Sequence, residues 1–319
     1  MDFGIFVLAV SALADVGGVD WLQLPVAEVR AKLARDDVEA AAIVGRALER
    51  DSVTLLCDAT VERVERTNAG VMVTVKAKTT ARMIEGSHLL VAIGRAPNVE
   101  GLGLERAGVA FNENGVTVND RLQTSNPRIF ACGDICSPLK FTHAADFQAR
   151  TVIQNALFFG RKRASALVIP WATYTAPEVA QVGHTVASAK AAGVAIETFT
   201  VAMRDVDRAI LDGDTEGFAR VHVRAGSDTI VGATVVAAHA GDLIAEYTLC
   251  ITHGLGLGAI GSTIHPYPTH GDALRKTADA WRITRPADAT QMDAIAEKEG
   301  FVVAYPEQSA DTIPTRCFR

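Results

Sequence analysis

Apolar and polar positions divide this chain into two patterns. From Val29 to Arg50 the apolar residues recur at helical spacing, which predicts an amphipathic helix. Val53 to Cys57 reads as a strand, and the stretches 59–65 and 71–75 alternate as the two arms of a hairpin. Leu89 to Ile93 is a further apolar strand, broken by Gly94 and Pro97. After the Asn126-Pro127 turn, Ile129-Phe130-Ala131 predicts a short buried strand, and a helical pattern starts near Thr142 and reaches Arg150. Past Val168 the pattern changes. Stretches 168–175, 197–203, 218–223 and 229–237 predict antiparallel strands, while 186–192, 242–253 and 273–281 predict helices. The first part therefore reads as α/β and the second as a compact α+β unit.

The chemistry concentrates at Gly133-Asp134, just beyond the predicted strand 129–131. Gly133 lets backbone approach a ligand closely. Asp134 offers acceptor oxygens to sugar-like hydroxyls, at the strand end where such crevices form. The helix opening at Phe141-Thr142-His143 could aim its free N–H groups at an electron-rich ring.

The run Thr124 to Asp134, with the helix behind it, resembles the second flavin-binding motif of the class I pyridine nucleotide-disulfide oxidoreductases. That family includes dihydrolipoamide dehydrogenase, glutathione reductase and mercuric reductase. The resemblance implies that Gly133 and Asp134 bind FAD, with Asp134 on the ribityl chain, and that Phe141, Thr142 and His143 face the flavin pyrimidine edge. The segment Leu89 to Asn98, containing Gly94, resembles the return of the family's chain from its nucleotide domain to its flavin domain. Stretch 169–183 is similar to the opening strand of the family's dimerisation domain. In all, the resemblance runs from about Val29 to Arg285.

The implied fold is a remnant of a two-dinucleotide-binding-domain flavoprotein followed by a complete α+β dimerisation domain. Residues 1–25 form an unassigned leader, 26–88 a remnant of the NAD(P)-binding domain and 89–165 the C-terminal part of the FAD-binding domain. Residues 166–285 form the dimerisation domain and 286–319 an unassigned tail.

In disulfide-reducing members a histidine before a Pro-Thr pair and a glutamate further on act as an acid–base dyad across the dimer interface. The matching positions in His265-Pro-Tyr-Pro-Thr-His-Gly-Asp272 are Tyr267 and Asp272. A phenol titrating near ~10 is a poor general base at neutral pH, whereas an imidazole near ~6.5 is a good one. A tyrosine here is what mercuric reductases show, so the resemblance tilts toward that branch. Packing at an interface is an equally open role for Tyr267, and His265 and His270 read as surface or interface histidines.

A full family member also carries a Gly-x-Gly-x-x-Gly turn for the FAD pyrophosphate, a Cys-x4-Cys redox pair and a second glycine turn for NAD(P)H. No glycine run in this sequence stands at a strand-to-helix turn that opens a βαβ unit, so no pyrophosphate loop is assigned, and no Cys-x4-Cys pair occurs. Its 5 cysteines are scattered, and Cys132 and Cys136 bracket the Gly-Asp turn as small packed residues rather than as a redox pair. No second pair has metal-ligand spacing, so no metal site is expected. Gly254 to Gly258 reads as a helix end and close packing.

The expected function is FAD- and NAD(P)H-dependent reduction of a disulfide or a soft metal ion such as Hg(II), impaired in a chain this short. The alternative is a non-catalytic dimerisation module that pairs with a full-length relative. The expected partners are thus a second copy or that relative, plus the small-molecule, disulfide or metal-ion acceptor. With 319 residues, 49% hydrophobic and a net charge of -6, the chain can fill about two cores and has no basic bias toward nucleic acid. Phe3 to Ala14 follows Asp2 and no basic residue, so it does not read as a signal peptide, and it is too short for a membrane span. The expectation is a start inside a longer reading frame. Few cysteines and no disulfide framework suit the cytoplasm.

Overall fold

The computed structural model describes residues 7–10, 25–27, 37–57, 59–68, 70–77, 80–91 and 95–284. Along the chain run β1 (Val7–Val10), β2 (Pro25–Ala27), α1 (Val38–Arg50), β3 (Thr54–Leu55), β4 (Ala59–Thr67), β5 (Gly70–Ala77), β6 (Thr80–Gly86) and β7 (His88–Val91). The middle holds β8 (Phe111–Asn112), β9 (Gly115–Val116) and α2 (Thr142–Leu157). The last part is β10 (Trp171–Thr173), β11 (Glu178–Gly183), α3 (Val186–Ala191), β12 (Ile196–Ala202), α4 (Asp207–Asp212), β13 (Phe218–Arg224), β14 (Ile230–Ala237), α5 (Ala240–His253), α6 (Leu257–Ser262) and α7 (Asp272–Ile283).

The alternation of 59–65 and 71–75 does form the predicted hairpin, and β6 adds a third antiparallel strand. β1 is paired by β2 on one side and β7 on the other, with β3 parallel to β2 at the edge. Of the predicted helix from Val29, the described part is α1, and residues 28–36 lie outside the described residues. Asp37 caps α1 by accepting the Glu39 N–H at 2.9 Å.

The second unit is a five-stranded antiparallel sheet in the order β10-β11-β14-β13-β12. Period-2 alternation sends Ala180, Val182, Val221, Val223, Ala233 and Val235 to one face. There they meet Ile244 and Tyr247 of α5, Leu257 and Ile260 of α6, and Leu274, Ala278 and Trp281 of α7 in the largest core. The opposite face carries Val179, Phe218 and Val236, which bury Ala40, Ile43 and Val44 of α1. Arg220 fastens this seam: Nη1 reaches Asp37 and Nη2 reaches Glu39, both at 2.5 Å, and the guanidinium lies 4.2 Å from the Phe218 ring centre. Gly254 ends α5 in the left-handed conformation at φ 66°. Beyond it, Gly256 and Gly258 close on Asp228, whose carboxylate would collide with any Cβ at Gly256.

Two expectations are corrected. Residues 129–131 are half-buried and form no strand; Phe130 makes a single bridge to Gln123, flanked by bonds from Thr124 N to Ile129 O and from Ala131 N to Leu122 O. A longer ladder would need a further neighbouring strand, and none pairs there among the described residues. The stretch 168–175, read as one strand, holds only the short β10, and the chain turns at Ala176-Pro177 into β11. Arg204 and Asp205 lie in a 3-10 turn and Asp207 and Arg208 in α4, because Met203, Val206 and Ala209 sink into the core and pull the backbone into helical turns.

Candidate functional site

The Gly-Asp turn is built by the residues around it. Gly133 is buried with φ 78°, a conformation glycine adopts without strain. An added Cβ would stand 3.1 Å from the Ala145 Cβ, so the turn lies tight against α2. The Gly133 N–H donates to Gln148 Oε1 at 2.7 Å, and Gln148 Nε2 donates to the Ser137 hydroxyl at 3.2 Å. Buried Gln148 thus ties both ends of the loop to one helix. Nothing in the sequence pattern singles out a glutamine at this position. Asp134 follows with its side chain 45% exposed, 3.4 Å from Arg95 Nη1. Lys140 Nζ donates to the backbone oxygens of Ser137 and Asp134 at 3.1 and 3.4 Å.

Phe141 occupies the N-cap of α2, and no side chain caps that helix start. Its first-turn N–H groups are therefore available beside the Gly-Asp turn. The Phe141 and His143 rings stack at 5.4 Å, and His143 Nε2 donates to the Pro170 carbonyl at 2.7 Å, linking the helix start to the segment that opens the dimerisation unit. Gly133, Asp134, Phe141, Thr142 and His143 are thus placed on one edge by the loop and the helix it feeds. Gly94 falls outside the described residues. Arg95, next in the chain, reaches this edge and was not singled out from the sequence.

The cysteines beside this edge behave as packed small residues. Cys132 and Cys136 are half-buried free thiols. Burial, with Cys132 nearby, pushes the Cys136 thiol up to about 11, so little nucleophilic thiolate exists at neutral pH.

The second candidate centre lies at 265–272. Tyr267 is 71% exposed and its hydroxyl donates to Asp207 Oδ2 at 2.5 Å. Asp272 is buried in the first turn of α7, where Arg275 at 2.8 Å and Lys276 at 3.2 Å hold its carboxylate. Their i+3 and i+4 spacing explains this capture within one helix. His265 lies 2.9 Å from Glu246 and donates through Nδ1 to the Thr263 carbonyl at 2.9 Å. His270, Asp212 and Asp214 cluster with donor atoms within 4.8 Å of one another, but Arg208 already holds Asp212 at 2.7 Å. The sequence identified Tyr267 and Asp272; Asp207 and Glu246, which engage this segment, carried no signal readable without the fold.

Among the described residues, no helix is long and apolar enough to cross a membrane.

Residues 11–149 match the family described as pyridine nucleotide-disulphide oxidoreductase, and residues 169–278 match the dimerisation domain of the same family. The chain is 34% identical to a mercuric reductase of Streptomyces lividans over 255 residues, 79% of this chain and 54% of that protein. It is 35% identical to a dihydrolipoyl dehydrogenase of Thermus scotoductus over 247 residues, 76% of this chain and 53% of that one. The crystal structure of LpdA from Mycobacterium tuberculosis superposes with a TM-score of 0.71 at 29% identity, over 77% of this chain and 53% of LpdA. The flavoprotein disulfide reductase RclA of Escherichia coli gives 0.70 at 25% identity, over 77% of this chain and 56% of RclA. The chain spans about half the length of the relatives it matches.

Proposed function

Since this chain belongs to the pyridine nucleotide-disulfide oxidoreductases, we propose that it serves FAD-dependent, NAD(P)H-driven reduction of a disulfide or of a soft metal ion such as Hg(II). The observation that carries this reading is the half-exposed Asp134 carboxylate on a tight glycine turn, set beside the uncapped start of α2. These residues fit one edge of a flavin. Asp134 would accept hydrogen bonds from the ribityl hydroxyls. Phe141, Thr142 and His143 would present the helix start, with its partial positive charge, to the electron-rich pyrimidine edge. Bound FAD supplies the hydride-accepting chemistry, and the protein supplies orientation and electrostatics. Gln148 keeps the loop in register, while the Arg95 contact neutralises part of the Asp134 charge.

Tyr267 supports the branch that reduces soft metals over the one that oxidises dithiols. A phenol with an ordinary value near ~10 is protonated at neutral pH, whereas a general base must be free to accept a proton. Asp272, engaged by Arg275 and Lys276, is positioned to fix α7 and the segment before it rather than to accept a proton from outside. In the assembly proposed, two copies pair through the dimerisation unit, and Tyr267 of each faces the flavin site of the other. The compartment proposed is the cytoplasm, on the cysteine usage above.

A second reading, a dimerisation module without turnover, draws on where the burial lies. The largest core belongs to the dimerisation unit, whereas Phe147, Ile153, Leu157 and Phe158 on and just after α2 are exposed. The test is to purify the chain in reducing buffer and record its visible spectrum before and after adding excess FAD. A yellow protein with stoichiometric flavin and steady NAD(P)H oxidation with an acceptor supports the enzyme. A colourless dimer overturns that reading and leaves the module.

A further inference from the structure

We propose that Asp207 is the positioning residue for Tyr267, holding the phenol proton and fixing the direction of its hydroxyl. For its functional meaning this inference rests on the reading above, in which Tyr267 works at the flavin site of the paired protomer. Its structural basis is independent of that reading. The Tyr267 hydroxyl donates to Asp207 Oδ2 at 2.5 Å, across 60 positions of sequence. Tyr267 is 71% exposed, so packing covers little of the ring and the charge-assisted hydrogen bond at its tip contributes to holding its orientation.

Asp207 is a rigid anchor. It is the first residue of α4, flanked by Val206 and Ala209, both without exposed surface in the main core. Lys276 Nζ donates to the Asp205 carbonyl at 2.6 Å, binding the 3-10 turn that leads into α4 to α7. The nearby cations are committed elsewhere: Arg208 to Asp212 at 2.7 Å, and Lys276 to Asp272 at 3.2 Å. A carboxylate placed so accepts from a phenol and disfavours its ionisation, both through the hydrogen bond and through like-charge repulsion. Tyr267 therefore presents a neutral hydroxyl whose proton is engaged by Asp207. That is the arrangement for contacting an electron-poor acceptor while giving no proton to it.

The experiment is an alkaline titration of tyrosinate absorbance in the full chain, with Tyr267→Phe subtracted to isolate one of the 4 tyrosines. Asp207→Ala is expected to lower the Tyr267 midpoint by ~1 pH unit, a tenfold rise in its ionisation constant, and Asp207→Asn by about half as much. Unchanged circular dichroism and sedimentation show that the variants fold and pair. A midpoint that stays within ~0.2 units in both folded variants overturns the assignment. In a preparation that turns over, Asp207→Ala lowers kcat severalfold with KM unchanged, and Asp207→Glu restores part of it. A chain that never binds FAD sinks the functional reading but leaves the titration intact, so the two failures are distinguishable.

Discussion

Replacing Arg220 by methionine tests the seam between α1 and the dimerisation sheet. The Asp37 and Arg220 side chains are 11% and 15% exposed, so their pair is nearly desolvated; Glu39 is 60% exposed. Burial pulls the Arg220 guanidinium down, yet the hydrogen bonds it donates to Glu39 and Asp37, with their charges, outweigh this and its pKa is raised overall. Losing one partner of a buried pair costs about 3–5 kcal/mol when the other charge is stranded. The Asp37 cap on Glu39 N–H survives and softens that cost. The exposed Glu39 pair adds less than about 1 kcal/mol, and the contact over Phe218 about 0.5 kcal/mol. The methionine stem keeps the apolar packing, so the expected loss is about 3 kcal/mol, on the order of a hundredfold in the folding constant. Urea unfolding followed by circular dichroism measures it, with Asp37→Asn and the double variant completing a cycle that should show coupling of about 2 kcal/mol. A loss under about 0.5 kcal/mol, or strict additivity of the two substitutions, would refute the claim that this ion pair fastens α1 to the sheet.

Further outcomes follow from other sites. Tyr247→Phe should cost only about 1 kcal/mol, because Thr277 still donates to the Leu274 carbonyl, whereas Thr277→Val should cost about 2–3 by stranding the fully buried Tyr247 hydroxyl; the order of the two unfolding midpoints decides. Burial, and then the Arg220 charge, pull His222 down to about 4. The unfolded imidazole titrates near ~6.5, so the folded state binds fewer protons between these values. Stability is full above pH ~6.5, falls as pH drops toward 4 by at most about 3 kcal/mol, and levels off below; unfolding free energies across that window should flatten in His222→Gln. Gly133→Ala should cost about 1–2 kcal/mol through its φ of 78° and the Ala145 contact, and should weaken FAD uptake, read by flavin absorbance after gel filtration.

Strand β13 of the dimerisation sheet was legible because apolar Ala219, Val221 and Val223 alternate with polar Arg220 and His222 along it. The turn at Ala176-Pro177 escaped notice because apolar residues continue on both sides of it, so one run hid two strands. Ile129 to Ala131 carries a strand's composition, but pairing depends on a neighbour that sequence-local reasoning cannot supply. Asp134, Thr142 and His143 were singled out because a motif surrounds them. Gln148, Arg95 and Asp207 could not, since each acts across 15 or more positions through one hydrogen bond or ion pair. Asp272 shows a further limit: its place in the motif was visible, while its capture by Arg275 and Lys276 depends on side-chain geometry along α7.

The meeting of Asp228 with Gly256 and Gly258 bears on how this fold can change through descent. The Gly258 N–H donates to Asp228 Oδ2 at 3.2 Å and the Leu257 N–H to the Asp228 carbonyl at 2.7 Å, while the Asp228 side chain fills the space that a Cβ on Gly256 would need. Neither position is free to drift alone. A side chain at 256 is admissible only after 228 has shortened, and shortening 228 first exposes the start of α6 for as long as the exchange is incomplete. Lineages that keep this turn should therefore keep both residues, and those that alter it should have altered them together.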